Sequence, residues 1–195
     1  MAKKHKTIVG NKIVTPKARL SYPSLFAPDT GGQYSDDKYK ATLLMDTGTV
    51  GEEIKNLQRA VLKVAKEAFG GETKLADIAH PFRKGNEKLT EDDSVAPGYQ
   101  DMIYIIPKSK YRPDVVDGSL KNAEETDVYA GCFVRASVYP YSYVSGNNKG
   151  VTFRLGNVQK VSDGEPFGGT GSKAADDFDA VSDVNESEAF DDDDL

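Results

Sequence analysis

The last 22 residues, 174–195, carry ten acidic side chains and no basic one, so they are expected to stay outside any folded core. The acids are Asp176, Asp177, Asp179, Asp183, Glu186, Glu188, Asp191, Asp192, Asp193 and Asp194. Without them the chain keeps 21 of its 31 acids and all 25 bases, and its net charge turns from −6 to +4. A mildly basic body is therefore joined to a strongly acidic tail. A basic surface suits a polyanion, and an acidic tail can compete for that surface or offer itself to a basic partner.

What remains is enough for one domain, expected over residues 1–162, with a flexible Gly/Ser-containing linker and the tail over 163–195. No apolar run approaches the roughly 18 residues a membrane span needs. The basic start, Met1-Ala2-Lys3-Lys4-His5-Lys6, is not followed by the apolar stretch of a secretory signal. One cysteine, Cys132, excludes an internal disulfide. The expected setting is the cytoplasm, without membrane contact.

The body reads mainly as strand. Ile8–Tyr22 is extended, residues 27–37 have loop chemistry, and Lys38–Met45 alternates with period two. One helix is expected at about 50–69, where Val50, Ile54, Leu57, Val61, Val64, Ala65 and Ala68 recur at steps of three and four. Thr49 and Glu52 offer a capping box, and Gly70 a stop. Further strands are expected at Tyr99–Ile106, Lys108–Val116, Tyr129–Val144 and Val151–Val161, the last two joined by a hairpin loop over 146–150. Short strands between turns favour a closed or half-closed, antiparallel β-barrel, because closure removes exposed edges.

Catalytic motifs are sparse. His5 and His80 are far apart, one cysteine cannot build a zinc knuckle, and no nucleophile elbow or phosphate loop has the right spacing. No catalytic residue, metal or cofactor is expected. The carboxylate pairs Asp36-Asp37, Asp92-Asp93 and Asp114…Asp117 read as loop residues; Asp114 and Asp117 leave a metal-dependent nuclease as a lesser alternative.

The binding signal lies in residues 129–144. Alternation puts Cys132, Val134, Ala136 and Val138 on one face and Phe133, Arg135, Ser137, Tyr139, Tyr141 and Tyr143 on the other, with Pro140 a point where the register can shift. Rings beside cations on a strand suit single-stranded nucleic acid: bases stack on rings and cations track phosphates. Phe133, Tyr139, Tyr141 and Tyr111 are the candidate stacking residues. Lys108, Lys110, Arg112, Arg135, Arg154, Arg83 and Lys84 are the candidate phosphate contacts, and Lys38, Lys40 and Lys149 add positive charge. Tyr22, Tyr104 and Phe153 read as core. The same surface would serve an RNA-binding or RNA-chaperone barrel, and a protein scaffold working through its tail is a further alternative.

Three blocks carry a resemblance. Arg19–Phe26 with Lys38–Leu44, Lys110–Asp117, and Tyr129–Cys132 through Val138–Tyr141, Gly150–Phe153 and Asn157–Phe167 resemble the phage-encoded single-stranded DNA-binding proteins. The resemblance covers most of residues 8–169. It implies an OB-fold barrel that coats single-stranded DNA in phage replication and recombination, in the infected bacterial cell. It also implies a tail that recruits replication or recombination proteins, here through Phe178, Phe190, Asp191, Asp192, Asp193, Asp194 and Leu195. Homo-oligomerisation is left open.

Overall fold

The computed structural model describes residues 6–30 and 35–167. The acidic tail and most of the expected linker, including Phe178, Phe190 and Asp191–Leu195, lie outside the described residues, so the expectation of disorder there is not addressed.

Among the described residues, nine strands and one long helix follow in chain order: β1 (Ile13–Val14), β2 (Ala18–Asp29), β3 (Lys38–Asp46), α1 (Thr47–Phe69), β4 (Arg83–Lys84), β5 (Met102–Ile105), β6 (Lys108–Ser109), β7 (Val115–Val116), β8 (Phe133–Ser145) and β9 (Asn148–Ser162). Five of them close a ring: β8 pairs with β2, β2 with β3, β3 with β6, β6 with β9, and β9 with β8. This is a mainly β barrel with one helix, as expected. It is not wholly antiparallel. Lys108 of β6 pairs in parallel with Arg154 of β9, and β7 joins β9 in parallel as well.

The core forms because one face of each long strand is apolar. Leu20, Leu25, Ala41, Leu43, Val134, Val138, Val151, Phe153 and Leu155 point inward and are buried. Helix α1 covers them with Ile54, Leu57, Val61, Val64 and Ala65, and touches β3, β8 and β9. Each large aliphatic side chain so removed from water contributes about 1.5–3 kcal/mol.

The helix starts earlier than its periodicity suggests. Its N-cap is Asp46, not Thr49: the Asp46 carboxylate accepts from the Gly48 N–H at 2.8 Å and from the Thr49 hydroxyl. Glu52 pairs with Lys55 at 2.6 Å instead of closing a capping box. Gly70 ends the helix as expected, at φ 116° with its N–H on the Lys66 carbonyl.

Other boundaries also move. Strand β2 runs into the expected loop as far as Asp29, which pairs with Lys38. Lys108–Val116 is not one strand but two short ones, β6 and β7. The β8–β9 loop is tighter than expected, with Ser145 paired to Asn148 and Gly146 at φ 56°.

Pro140 leaves the alternation of β8 intact. Its carbonyl accepts from the Gly10 N–H at 2.7 Å, so the side of the strand that lacks a donor faces the N-terminal lead-in and not β9. A Cβ at Gly10 would lie 2.9 Å from Pro140 Cγ and 2.8 Å from Val64 Cγ2, so only glycine brings the lead-in this close.

Candidate nucleic-acid interface

Strand β8 presents Phe133, Arg135, Ser137, Tyr139, Tyr141 and Tyr143 outward, while Val134, Ala136, Val138, Pro140 and Ser142 are buried. Across the ladder, Tyr139 faces Arg154 and Tyr141 faces Thr152. The parallel pairing of Lys108 with Arg154 brings β6 to the other side of β9. Rings from β8 and cations from β6 and β9 thus share one surface.

A wall rises beside it. The backbone around Ala79 clips onto β9: Val151 donates to the Ala79 carbonyl at 3.0 Å, and Ala79 donates to the Lys149 carbonyl at 3.0 Å. This approach requires Gly150, where a Cβ would fall 2.5 Å from the Ala79 oxygen. The clip is followed directly by His80, Pro81 and Arg83, which line the cleft. The result is a cleft of about 540 Å³, lined by Arg83, Lys108, Lys110, Tyr111, Tyr141 and Arg154, with Asp36, Lys38, His80 and Tyr143 among its other walls. A smaller groove of about 230 Å³ continues it, sharing Arg83, Ile106 and Lys108 and adding Tyr22, Lys40 and Lys88.

Six of the expected contact residues therefore meet in one cleft: Arg83, Lys108, Lys110, Tyr111, Tyr141 and Arg154. Tyr139 adjoins it through Arg154, whose guanidinium lies 4.6 Å from the ring centroid. The others stand apart from the cleft lining. Phe133 carries the Lys17 ammonium 4.3 Å above its ring, Arg112 lies 5.8 Å from the Phe26 ring, Lys84 pairs with Glu87 at 3.7 Å, and Arg135 is exposed opposite Gln159.

Tyr22 is not a core residue. It sits at a break in the β2–β3 register with φ 42°, ahead of Pro23, and is 63% exposed in the smaller groove. Tyr104 and Phe153 are buried, as expected.

The electrostatic surprise is Asp36. Its Oδ2 lies 2.8 Å from Lys108 Nζ and 3.4 Å from Lys38 Nζ. Burial pushes its carboxyl pKa up, but the hydrogen bond and charge of Lys108, with those of Lys38, pull it down further and leave it below the ordinary value. Lys40 is likewise paired, to Asp29. Among the described residues, Arg83, Lys110 and Arg154 make no ion pair, which leaves their charge available to an anion.

Nothing in the local pattern marked Asp36 or His80 as cleft residues, since both arrive from loops. Gly150 was the one readable signal: a glycine inside a strand often marks a close backbone approach.

The Asp114…Asp117 pair has a structural role. Asp117 Oδ1 accepts from the Ser119 and Lys121 N–H groups at 2.8 and 2.9 Å, and the Asp114 N–H donates to Asn157 Oδ1. Among the described residues, no group of three or more His, Cys, Asp or Glu side chains is placed to hold a metal. No described helix is long and apolar enough to cross a membrane.

Comparison with known proteins bears on the family and the fold. The family model of the single-stranded DNA-binding protein of Enterobacter phage Enc34 matches residues 11–192. Protein p50 of Acyrthosiphon pisum secondary endosymbiont phage 1 is 30% identical over 182 residues, covering 91% of this chain and 97% of its own. Among solved structures, the bacteriophage Enc34 single-stranded DNA-binding protein in complex with single-stranded DNA superposes with a TM-score of 0.67 at 27% identity, over 80% of this chain and 89% of that one. A second structure of the bacteriophage Enc34 single-stranded DNA-binding protein gives 0.65 at 26% identity, over 86% of this chain and 90% of that one. The chain belongs to the Enc34 family of phage single-stranded DNA-binding proteins.

Proposed function

We propose that this chain is a non-enzymatic, sequence-tolerant single-stranded DNA-binding protein that coats exposed strands during phage replication and recombination in the infected bacterial cell. The observation that carries this reading is the single cleft in which Lys108, Arg83 and Arg154 stand among Tyr111, Tyr141 and Tyr143. Stacking of bases on exposed rings contributes about 1–3 kcal/mol per base whatever the sequence. The cations neutralise phosphates, which sets orientation without reading bases. Tyr141, Tyr111 and the Tyr139–Arg154 pair are the proposed stacking platform, and Lys108, Lys110, Arg83 and Arg154 the proposed phosphate contacts. Phe133, Arg135, Arg112 and Lys84 would join them only along a longer path over the barrel.

The acidic residues 174–195 are proposed to compete with DNA for the basic surface and to recruit replication or recombination proteins when displaced. Truncation after Lys173 tests the first part: affinity for a single strand at low salt rises if the tail competes, and stays level if it does not.

Titration with oligo(dT) at several salt concentrations tests the main reading. The chain has ten tyrosines and no tryptophan, so quenching of tyrosine fluorescence reports stacking directly. The expected result is saturable quenching, with log K falling by about 0.7 for each phosphate neutralised per tenfold rise in salt. Absence of binding at low salt would refute it. Competition between poly(dT) and poly(U) separates DNA binding from an RNA-binding role.

A further inference from the structure

Among the described residues, Asp36 is the one carboxylate that lines the cationic cleft. One of its oxygens, Oδ2, serves both Lys108 and Lys38. The other, Oδ1, is buried and has no hydrogen-bond partner among the described residues. A carboxylate seated this way is poorly satisfied. It neutralises two lysines through one atom and keeps the second atom from water without giving it a partner, which is unfavourable for a buried oxygen.

We propose that Asp36 is a tethered stand-in for a nucleic-acid phosphate: it occupies Lys108 and Lys38 in the free protein and surrenders them to a phosphate of the bound strand. This rests on the cleft being the DNA site. A phosphate has two non-bridging oxygens and can give one to each lysine. The displaced carboxylate turns to water and regains hydration at Oδ1. The exchange leaves the number of ion pairs unchanged while removing an unsatisfied group.

The same exchange makes the cleft selective for strands over isolated anions. A free phosphate must displace a carboxylate that the chain holds at an effective concentration on the order of millimolar. A strand brings several phosphates and bases that stack on Tyr141 and Tyr111, so it displaces Asp36 where a lone anion fails. Asp36 is thus a specificity-determining residue that discriminates by valency.

The full chain and its Asp36→Asn, Asp36→Ala, Lys108→Ala and Glu53→Gln variants are titrated with oligo(dT) at low salt, each after its thermal unfolding midpoint is measured. Glu53→Gln removes the same charge from an exposed position on α1. Asp36→Asn and Asp36→Ala are expected to tighten binding about threefold to tenfold, and Glu53→Gln by much less. Millimolar inorganic phosphate is expected to compete against oligo(dT) in the Asp36 variants and not in the wild type. Unchanged or weaker binding by both Asp36 variants would overturn the proposal, since it would make Asp36 a residue that merely holds its lysines in place. An equal gain from Glu53→Gln would overturn it too, by reducing the effect to net charge. If Lys108→Ala leaves affinity unchanged, the cleft itself has been misassigned and the proposal falls with it. A loss in Lys108→Ala without a gain in the Asp36 variants refutes the stand-in alone.

Discussion

The guanidinium of Arg154 lies 4.6 Å from the centroid of the Tyr139 ring, directly across the β8–β9 ladder. The pair holds a cation and a ring in one fixed unit at the edge of the cleft. Arg154 also pairs in register with Lys108, so it links the ring-bearing strand to the lysine-bearing one. Replacing Arg154 by alanine is expected to weaken oligo(dT) binding and to reduce the slope of log K against log salt by about 0.7, the value for one phosphate contact on a single strand. Titrations of wild type and Arg154→Ala across a salt series check this. An unchanged slope would mean that Arg154 serves only to hold Tyr139.

Tyr141 and Phe133 are both half-buried on β8 but differ in what already covers them. Lys17 sits 4.3 Å above the Phe133 ring, and a Cβ at Gly164 would lie 3.0 Å from its Cε2. Tyr141 instead lines the cleft. Tyr141→Ala is therefore expected to cost about 1–3 kcal/mol of oligo(dT) affinity, and Phe133→Ala clearly less. Equal losses in the two variants would show that the strand runs the whole length of β8.

Gly150 controls the wall of the cleft. In Gly150→Ala the added methyl meets the Ala79 carbonyl oxygen at 2.5 Å, and that oxygen is held in place by the Val151 N–H. Relief requires the Ala79 clip to lift from β9. Overpacking of this kind costs about 1–3 kcal/mol, so the unfolding midpoint is expected to drop. Oligo(dT) affinity is expected to fall with it, because His80 and Arg83 leave the cleft. Wild-type affinity in a folded Gly150→Ala protein would show that the wall does not contribute.

These three cases show which parts of the molecule a linear reading can reach. The outward row Phe133, Tyr139, Tyr141 was legible because strand periodicity is local, and the sheet keeps it through Pro140. Which of those rings reaches the cleft was not legible. Lys17 comes to Phe133 from the lead-in, and His80 comes to the cleft through the Ala79–Gly150 bridge; both depend on distant chain segments. The helix cap shows the limit at short range. Asp46 and Thr49 are both good cap residues, and Asp46 prevails because its carboxylate accepts from Gly48 and Thr49 together. Asp36 was hidden for a third reason: its meaning comes from Lys108, which reaches it only once β3 and β6 pair.

Cys132 offers a probe of barrel integrity. It is fully buried against β2, where Leu20 donates to its carbonyl at 2.9 Å, and burial pushes its thiol pKa above the ordinary value. Thiolate is the reactive form, so the native protein is expected to resist a thiol reagent at mildly alkaline pH and to react at once in denaturant. Fast labelling of the native protein would indicate that β8 opens from β2 without global unfolding.

The segment after β9 returns to the barrel and is held by charge as well as by packing. Asp163 Oδ1 lies 2.7 Å from Lys160 Nζ and accepts from the Tyr129 hydroxyl at 3.1 Å. The Phe167 N–H donates to the Ala130 carbonyl at 2.9 Å, and Arg19 lies 4.0 Å from the Phe167 ring. The Lys160 hydrogen bond, then that of Tyr129, hold the Asp163 carboxyl below its ordinary 3.8, while the Asp163 hydrogen bond holds the Lys160 ammonium above its ordinary 10.5. A depressed carboxyl stabilises the folded form fully above its ordinary value and loses that effect as pH falls through the lowered one. A raised ammonium stabilises fully below its ordinary value and loses that effect as pH rises through the raised one. Amide protection at Phe167 is therefore expected to stay level between about pH 4 and pH 10 and to fall on both sides. In Asp163→Asn the plateau should sit lower, the acid limb should vanish and the alkaline limb should shrink, because Asp163 is what raises Lys160. Hydrogen exchange followed over pH checks both points, and identical profiles for the two proteins would assign the anchoring to Phe167 and Arg19 alone.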